Sequence, residues 1–215
     1  MKLSVIIVSY NVKHYLEYCL LSLSDAASGI EHEIIIVDNA STDNTLNDLK
    51  NKLPGITWIS NIANKGFGSA CNQGAKIASG EFLLFLNPDT LVTQPAIEKT
   101  MSFLNDEKKG IAGVRMIDGE GKFLPESTRS NPATLSSIFK VCGLASLFPS
   151  SKLFNHYALC HIPERAIVPA DILFGAFMIM KNSLFKTIHG FDEDFFLYGE
   201  DINLCYRVKQ AGFQN

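Results

Sequence analysis

The chain has 215 residues, 47% hydrophobic and 19% charged, which suits one large globular domain with a substantial core. Its net charge of −3 and pI near 5.9 argue against a nucleic-acid-binding protein, because such proteins usually carry a basic surface. The five cysteines are scattered and include no CxxC pair, which favours reduced thiols in the cytosol over disulfides or a zinc site.

The N-terminal apolar run, Leu3–Val8, is short, and polar residues follow it without a small-residue cleavage site. We therefore predict a buried first strand rather than a signal peptide. The longest apolar run, Ile172–Met180, is far below the roughly 18 residues that a membrane span needs. The mean hydropathy of +0.11 remains compatible with attachment to a membrane surface.

Short apolar runs alternate with helical patterns through about the first hundred residues, and most of these runs are rich in Ile and Val. The predicted strands are Leu3–Val8, Glu33–Val37, Ile56–Ile59 and Phe82–Leu86, and the predicted helices span 12–27, 44–52, 67–79 and 95–107. This β-α rhythm predicts an α/β fold in three layers, with a mainly parallel central sheet and helices on both faces.

The alternation weakens beyond Gly110. Four further strands are predicted there: Ile111–Met116 and Gly121–Leu124 around a hairpin turn, then Ile167–Val168 and Ile172–Met180. Residues 125–165 are rich in Ser and Pro, with a weak helical pattern near 133–147, and we predict a mobile excursion facing substrate or membrane. Because the sequence ends directly after a helical pattern, we expect that it stops before the natural end of the protein.

Ligands of parallel α/β sheets bind beyond the carboxyl ends of the strands, so the residues after each strand are candidates for a site. Tyr10 follows the first strand, where its ring can lie on a planar base while main-chain groups near Ser9 hydrogen-bond the base edge. A core or capping role is the alternative there, with Asn11 as N-cap of the next helix. Asp38 ends the second run, where a buried carboxylate needs hydrogen-bond donors such as a base imide or ribose hydroxyls. Helix capping explains the polar residues 41–44 that follow it.

Asn64, Lys65 and Gly66 follow the third strand. Glycine allows close approach of a ligand to the backbone, the next helix offers its N-terminus to an anion, and Lys65 adds positive charge near a diphosphate. The glycine spacing matches neither the dinucleotide fingerprint nor the P-loop. After the fourth strand, Asn87 and Asp89 flank a proline. We predict a Mg²⁺ or Mn²⁺ site here, with Asp89, diphosphate oxygens and water as its ligands. A plain Asn-Pro-Asp turn is the alternative.

The acidic–aromatic segment, residues 190–201, mixes five carboxylates with four aromatic rings and leads into an amphipathic pattern. This mixture predicts a carboxylate held partly desolvated at the start of a helix, where its basicity can be tuned. The alternative is an acidic loop that is anchored by its rings and caps the helix, with Glu200 and Asp201 stabilised by the helix dipole.

In this order the motifs resemble those of the inverting family 2 glycosyltransferases of the GT-A fold, especially the rhamnosyltransferase-like members. The matching segments are Val8–Asn11, Val37–Asp43, Asn64–Gly68, Leu86–Asp89, Gly175–Met178 and Gly190–Arg207. The resemblance implies a nucleotide-diphosphate-sugar donor and a glycan or lipid-linked glycan acceptor. The donor-binding residues it implies are Ser9, Tyr10, Asp38, Asn64, Lys65, Gly66, Asn87 and Asp89.

The resemblance also implies roles for individual residues. Asp89 is similar to the second aspartate of the family's metal-binding Asp-x-Asp element, whose first position is Asn87 here. Asp201 resembles the usual general base, Glu200 is the second candidate, and the carboxylates at 192–194 are expected to shape the loop. Residues 1–110 would form the nucleotide-sugar half and 111–215 the acceptor half of one GT-A domain.

The implied function is transfer of a hexose, with rhamnose the leading guess, in synthesis of cell-surface polysaccharide, lipopolysaccharide or cell-wall glycan. The expected location is the cytoplasm, including the inner face of the plasma membrane. A non-catalytic nucleotide-sugar or glycan-binding module is the alternative, motivated by Asn87 and the abrupt end of the sequence. A sugar nucleotidyltransferase fits less well, because no Gly-rich, Arg-containing loop follows the first strand.

Overall fold

A computed structural model describes residues 2–124, 128–129 and 166–215. The elements in chain order are β1 (Leu3–Ser9), α1 (Lys13–Ala26), β2 (His32–Asp38), α2 (Thr45–Lys52), β3 (Thr57–Ser60), α3 (Phe67–Ile77), β4 (Phe82–Leu86), α4 (Gln94–Phe103), β5 (Ile111–Ala112), β6 (Thr128–Arg129), β7 (Ile172–Leu173), β8 (Phe177–Lys181), α5 (Asn182–Thr187) and α6 (Glu200–Gln210).

The central sheet has six strands in the order β3-β2-β1-β4-β8-β5. Strands β1 to β4 are parallel to one another, whereas β8 lies antiparallel between β4 and β5. The prediction of a mainly parallel sheet is confirmed. Every residue of β1 and β4 is buried, as expected of central strands that are covered on both faces.

Helices cover both faces of this sheet, because consecutive strand residues point to opposite sides. Ile7 and its like-facing neighbours pack against α1, α2 and α4, whereas Ile6 and Val8 pack against α3, α5 and α6. The two hydrophobic cores give the predicted three-layer arrangement. Parallel strands also carry their carboxyl ends to one edge, where the candidate site residues lie.

The predicted strand Ile172–Met180 is wrong as a single element. The run forms β7 and β8, which a turn at 174–176 separates, and β7 pairs with β6 outside the central sheet. An apolar run does not reveal such a turn, because all of its residues except Gly175 are suited to a buried strand. Ile167–Val168 forms no strand either.

Only the first two residues of the predicted strand Ile111–Met116 are a strand, and the segment Gly121–Leu124 contributes a single bridge. The turn between them forms, since Asp118 N–H donates to Lys122 O (2.8 Å). Helices α3 and α4 end at Ile77 and Phe103, earlier than predicted. The excursion at 125–165 and the helix near 133–147 lie outside the described residues, apart from 128–129. No helix among the described residues is long and apolar enough to cross a bilayer.

Candidate active site

The ends of β1 and β2 lie side by side, with Ser9 paired to Asp38 across the parallel ladder. Both residues are buried, and Asp38 Oδ2 accepts a hydrogen bond from Ser41 N–H (3.0 Å). Ser9 Oγ and Asp38 Oδ1 have no partner among the described residues. A buried carboxylate oxygen without a donor is costly, and a base imide or a ribose hydroxyl is the kind of donor that it lacks. Tyr10, which follows Ser9, is 48% exposed.

The loops after β1 and β2 are tied to each other. Asn11 does not cap α1 as the alternative had it; its Oδ1 accepts a hydrogen bond from Thr42 N–H (2.7 Å). Asp43 instead accepts from Lys13 N–H (3.0 Å) at the start of α1 and from Thr45 N–H (3.1 Å) at the start of α2. One carboxylate therefore serves two helix N-termini, which confirms capping for Asp43, whereas Asn44, the residue before α2, makes no side-chain capping bond.

The loop before α3 is held by amide side chains. Asn64 Oδ1 accepts from Gly66 N–H (2.9 Å), and Gly66 O accepts from Asn39 Nδ2 (3.2 Å). Asn39 is buried and also accepts from Asn61 Nδ2 (2.8 Å). Sequence reasoning did not assign Asn39, although it stands directly after Asp38. Lys65 is exposed at the tip of this loop.

This loop touches the acidic–aromatic segment. Gly66 has φ +82°, and a Cβ added there would lie 2.3 Å from the carbonyl oxygen of Phe196. The same oxygen accepts a hydrogen bond from Phe67 N–H (3.2 Å), the first residue of α3. Only glycine fits at position 66, because its backbone conformation and the contact both exclude a side chain.

The end of β4 carries the candidate metal ligand. Asn87 N–H donates to Ala176 O (3.0 Å), and Asn87 O accepts from Thr90 N–H (3.2 Å). Asp89 is exposed on this turn. Burial raises the pKa of the Cys19 thiol beneath it to about 12, and the negative charge of Asp89 adds to that shift. Within residues 2–124 and 166–215, no three His, Cys, Asp or Glu side chains come together as a metal cluster.

Glu200 and Asp201 begin α6, and their environments differ. Glu200 is 6% exposed, its Oε2 has no partner among the described residues, and burial raises its pKa, with the charge of Asp201 adding to the effect. Asp201 is less buried and accepts hydrogen bonds from Gly175 N–H (3.3 Å) at Oδ2 and from Ile202 N–H (2.8 Å) at Oδ1. The desolvated carboxylate predicted for this segment is therefore Glu200.

The turn at 174–176 joins the two chemical candidates. Its Ala176 binds the main chain of Asn87, two residues before Asp89, and its Gly175 binds the carboxylate of Asp201. A Cβ on Gly175 would lie 3.6 Å from the Cβ of Asp201, so the turn and α6 are in close contact. The candidate base and the candidate metal ligand consequently flank one short turn at the carboxyl edge of the sheet.

The remaining residues of the acidic–aromatic segment make structural contacts. Asp192 Oδ1 accepts from Asp194 N–H (3.1 Å), and Glu193 binds side chains of α3. Phe191 is buried with its ring 4.9 Å from that of Phe85, whereas Phe196 and Tyr198 are exposed. Some rings and carboxylates thus anchor the segment, whereas others are exposed to solvent.

The sequence profile described as Glycosyl transferase family 2 matches residues 4–201 of the chain. The chain belongs to this family. It is 26% identical over 212 residues to the low-salt glycan biosynthesis hexosyltransferase Agl10 of Haloferax volcanii, covering 97% of this chain and 62% of that protein. It is 27% identical over 223 residues to an N-acetylglucosaminyl-diphospho-decaprenol L-rhamnosyltransferase of Mycobacterium tuberculosis, covering 98% of this chain and 71% of the relative.

A solved structure supports the GT-A fold of this family 2 glycosyltransferase. The mannosyltransferase PcManGT from Pyrobaculum calidifontis, in complex with GDP-Man and Mn²⁺, superposes with a TM-score of 0.67 at 18% identity. The match covers 99% of this chain and 53% of that one. The family 2 chain therefore spans about half to seven tenths of the lengths of these three proteins.

Proposed function

We propose that this family 2 glycosyltransferase transfers a hexose, with rhamnose the leading candidate, from a nucleotide-diphosphate sugar to an acceptor hydroxyl with inversion. The observation that carries the proposal is the turn at 174–176, which binds the Asp201 carboxylate and the strand end that leads to Asp89. An in-line displacement needs a base on one side of the anomeric carbon and stabilisation of the leaving diphosphate on the other.

Asp201 is the proposed general base that takes the proton of the acceptor hydroxyl. Its carboxylate is oriented by Gly175 N–H and is more accessible than that of Glu200, whose Oε2 is enclosed. Accessibility matters because a base must reach within hydrogen-bond distance of the proton that it removes. Glu200 is the second candidate for this role, because burial raises its pKa and a carboxylate with a raised pKa is a stronger base once ionised.

The donor is proposed to bind across the ends of β1 to β4. Tyr10 would contact the base, with Ser9 and Asp38 at the base edge or ribose, and the loop of Asn64, Lys65 and Gly66 would meet the sugar diphosphate. In support, Ser9, Tyr10 and Asp38 lie together at the ends of β1 and β2. Lys65 is exposed on a loop that hydrogen bonds from amide side chains hold in place.

Asp89 fits a divalent cation as a single exposed carboxylate ligand, with Asn87 two positions earlier in the same turn. Mg²⁺ and Mn²⁺ prefer oxygen ligands, and Mg²⁺ is often held by one or two carboxylates plus substrate phosphates. When bound, such an ion offsets the negative charge that develops on the leaving diphosphate.

The sugar and the pathway come from the relatives. The mycobacterial protein is named as a rhamnosyltransferase acting on a decaprenol-linked N-acetylglucosamine, and the archaeal one as a hexosyltransferase of glycan biosynthesis. We therefore propose a lipid-linked or free glycan acceptor in cell-surface polysaccharide, lipopolysaccharide or cell-wall glycan synthesis. A cytoplasmic reaction at the inner face of the plasma membrane belongs to the same proposal.

The test is a transfer assay with dTDP-rhamnose, UDP-glucose, UDP-N-acetylglucosamine and GDP-mannose, on a polyprenyl-diphosphate-linked N-acetylglucosamine acceptor. Asp201→Asn should lower kcat by about 10²–10⁴-fold with donor affinity unchanged, since it removes the base alone. Asp194→Asn is the matched control, because it removes a nearby exposed carboxylate of the same segment. NMR of the product should show the anomeric configuration inverted relative to the donor.

Retained turnover in Asp201→Asn would remove this residue as the base. Donor binding by the wild-type chain without transfer to any acceptor would favour the alternative, a nucleotide-sugar-binding module. Binding can be detected independently as a donor-dependent rise in Tm, because a ligand that binds only the folded state stabilises it.

A further inference from the structure

We propose that Asn72 of α3 is a positioning residue for Asp201, because it fixes the acidic–aromatic segment that leads into α6. The inference rests on the proposed role of Asp201 as base. Asn72 hydrogen-bonds, among the described residues, to Phe191 and Glu193 and not to Asp201, so it acts on Asp201 through the segment between them.

The side-chain amide of Asn72 binds the segment with both of its ends. Its Nδ2 donates to Phe191 O (2.9 Å) and to Glu193 Oε1 (2.9 Å), while its Oδ1 accepts from Phe191 N–H (2.9 Å). Both main-chain polar groups of Phe191 are therefore satisfied by one side chain. Among side chains of this length only an amide both donates and accepts in this way, since a carboxylate only accepts when ionised and a leucine does neither.

Gly190 shows how closely this amide is packed. It has φ +69°, and a Cβ added there would lie 2.5 Å from Asn72 Oδ1. Arg207 of α6 holds the same bend from the other side, because its guanidinium donates to Ile188 O (2.6 Å) and Gly190 O (2.6 Å). The segment consequently begins between α3 and α6 and cannot shift along either helix without breaking these bonds.

Two further bonds attach the segment to α3. Ser69 Oγ donates to Glu193 Oε2 (3.3 Å), and Phe67 N–H donates to Phe196 O (3.2 Å). Together with Asn72 they fix the segment over residues 191–196, and α6 with its two carboxylates starts four residues later. Because α3 also begins at the proposed donor loop, this attachment sets the distance between donor and base. A misplacement of about 1 Å is enough to cost about 10²-fold in rate.

Asn72→Asp separates this role from general stability. Asp at position 72 keeps an acceptor for Phe191 N–H, loses the donor to Phe191 O, and places a second negative charge against Glu193. Glu193→Gln in the same chain removes the repulsion and supplies an amide donor to the new carboxylate, whereas Phe191 O stays without the donor it had in Asn72. Asn51→Asp is the control, since it makes the same chemical change on the exposed side of α2, where Asn51 binds Asn47 O and no other group among the described residues.

The expected result is a fall in kcat of about 10–100-fold for Asn72→Asp, with donor affinity by titration calorimetry within about twofold of wild type. Adding Glu193→Gln should recover part of that loss, because the pair at 72 and 193 attracts again while the bond to Phe191 O stays broken, and Asn51→Asp should match wild type. Hydrogen exchange of the amides at 190–201 should accelerate in Asn72→Asp and slow again in the double variant. That measurement needs no catalysis and reads the attachment directly.

Unchanged exchange at 190–201 in Asn72→Asp would overturn the proposal. So would a full kcat in Asn72→Asp while Asp201→Asn is inactive, or a double variant no better than the single one. These outcomes differ from failure of the proposed function, which is retained transfer by Asp201→Asn itself. A loss of kcat matched by an equal loss of donor affinity would also count against a positioning role, because it would indicate damage to the donor site.

Discussion

Gly66→Ala is expected to damage both stability and catalysis through its contact with Phe196. At φ +82° and ψ 167°, position 66 lies in a backbone region that is essentially restricted to glycine. An alanine there costs about 1–3 kcal/mol in strain. Each kcal/mol lowers the Tm of a chain of this size by about 2–4 °C.

The collision adds a second effect. The alanine Cβ would lie 2.3 Å from Phe196 O and 3.0 Å from Phe196 C, both backbone atoms, so the two segments must separate. Separation breaks the Phe67–Phe196 hydrogen bond and displaces the segment that leads to Asp201. Since about 1 Å of misplacement costs about 10²-fold in rate, kcat should fall by about that factor while donor affinity falls less.

The assay pairs urea unfolding with steady-state transfer kinetics and uses Gly55→Ala as the matched control. Gly55 has φ +93°, but a Cβ added there would meet no atom of the described residues within 4 Å, so an alanine carries left-handed strain without a collision. Gly55→Ala should lose stability and keep kcat at temperatures well below its Tm. The reasoning is refuted if Gly66→Ala loses no more activity than Gly55→Ala.

Three further predictions follow from burial and charge. Burial raises the pKa of Glu200 above 4.5, so the folded state holds the proton more tightly and stability falls as pH rises through the raised value. The free energy of unfolding of Glu200→Gln, measured in urea, should therefore rise relative to that of wild type as the pH goes from about 4.5 up to the raised folded pKa. A difference between the two proteins that does not change with pH would contradict the effect of burial on this pKa. Asp89→Asn should weaken Mn²⁺-dependent binding of a nucleoside diphosphate at least tenfold, about 1.4 kcal/mol, while the urea midpoint of unfolding stays unchanged. Titration calorimetry with Mn²⁺ and with EDTA measures the binding with and without the metal. Phe191→Ala should lower the free energy of unfolding by about 3–5 kcal/mol, because the ring is 2% exposed. A loss below about 1 kcal/mol would show that neighbouring side chains fill the cavity that the ring leaves.

The sequence predicted the first half of the fold because each element there has its own local signal. Strand β4 was predicted with its observed bounds, and β1 differs by one residue. The antiparallel insertion of β8 was not predicted, since an apolar run carries no information about direction or neighbour. The split between β7 and β8 was missed for a related reason, because the turn around Gly175 lies within continuous apolar sequence.

Strand ends were the useful guide to the site, and they identified residues that the structure brings to one edge of the sheet. They did not identify residues whose hydrogen-bond partners lie far away in the sequence. Asn72 bonds to Phe191 and Glu193, which lie 119 and 121 positions away. A polar residue on a predicted helix is most simply interpreted as solvated, and nothing local distinguishes Asn72 from such a residue. The buried Asn39 is similar, because its role depends on Gly66 and Asn61.

The place of β8 in the sheet bears on how the chain folds during synthesis. Strands β1 to β4 and their helices are made first, yet β4 lacks its second neighbour until Lys181 has been synthesised to pair with Phe82. Until then the apolar strand Phe82–Leu86 is an unpaired sheet edge, which is a template for intermolecular pairing. The nascent protein should therefore need a chaperone, or remain ribosome-bound, up to that point, and chains stopped before β8 should aggregate whereas chains that include α6 should not.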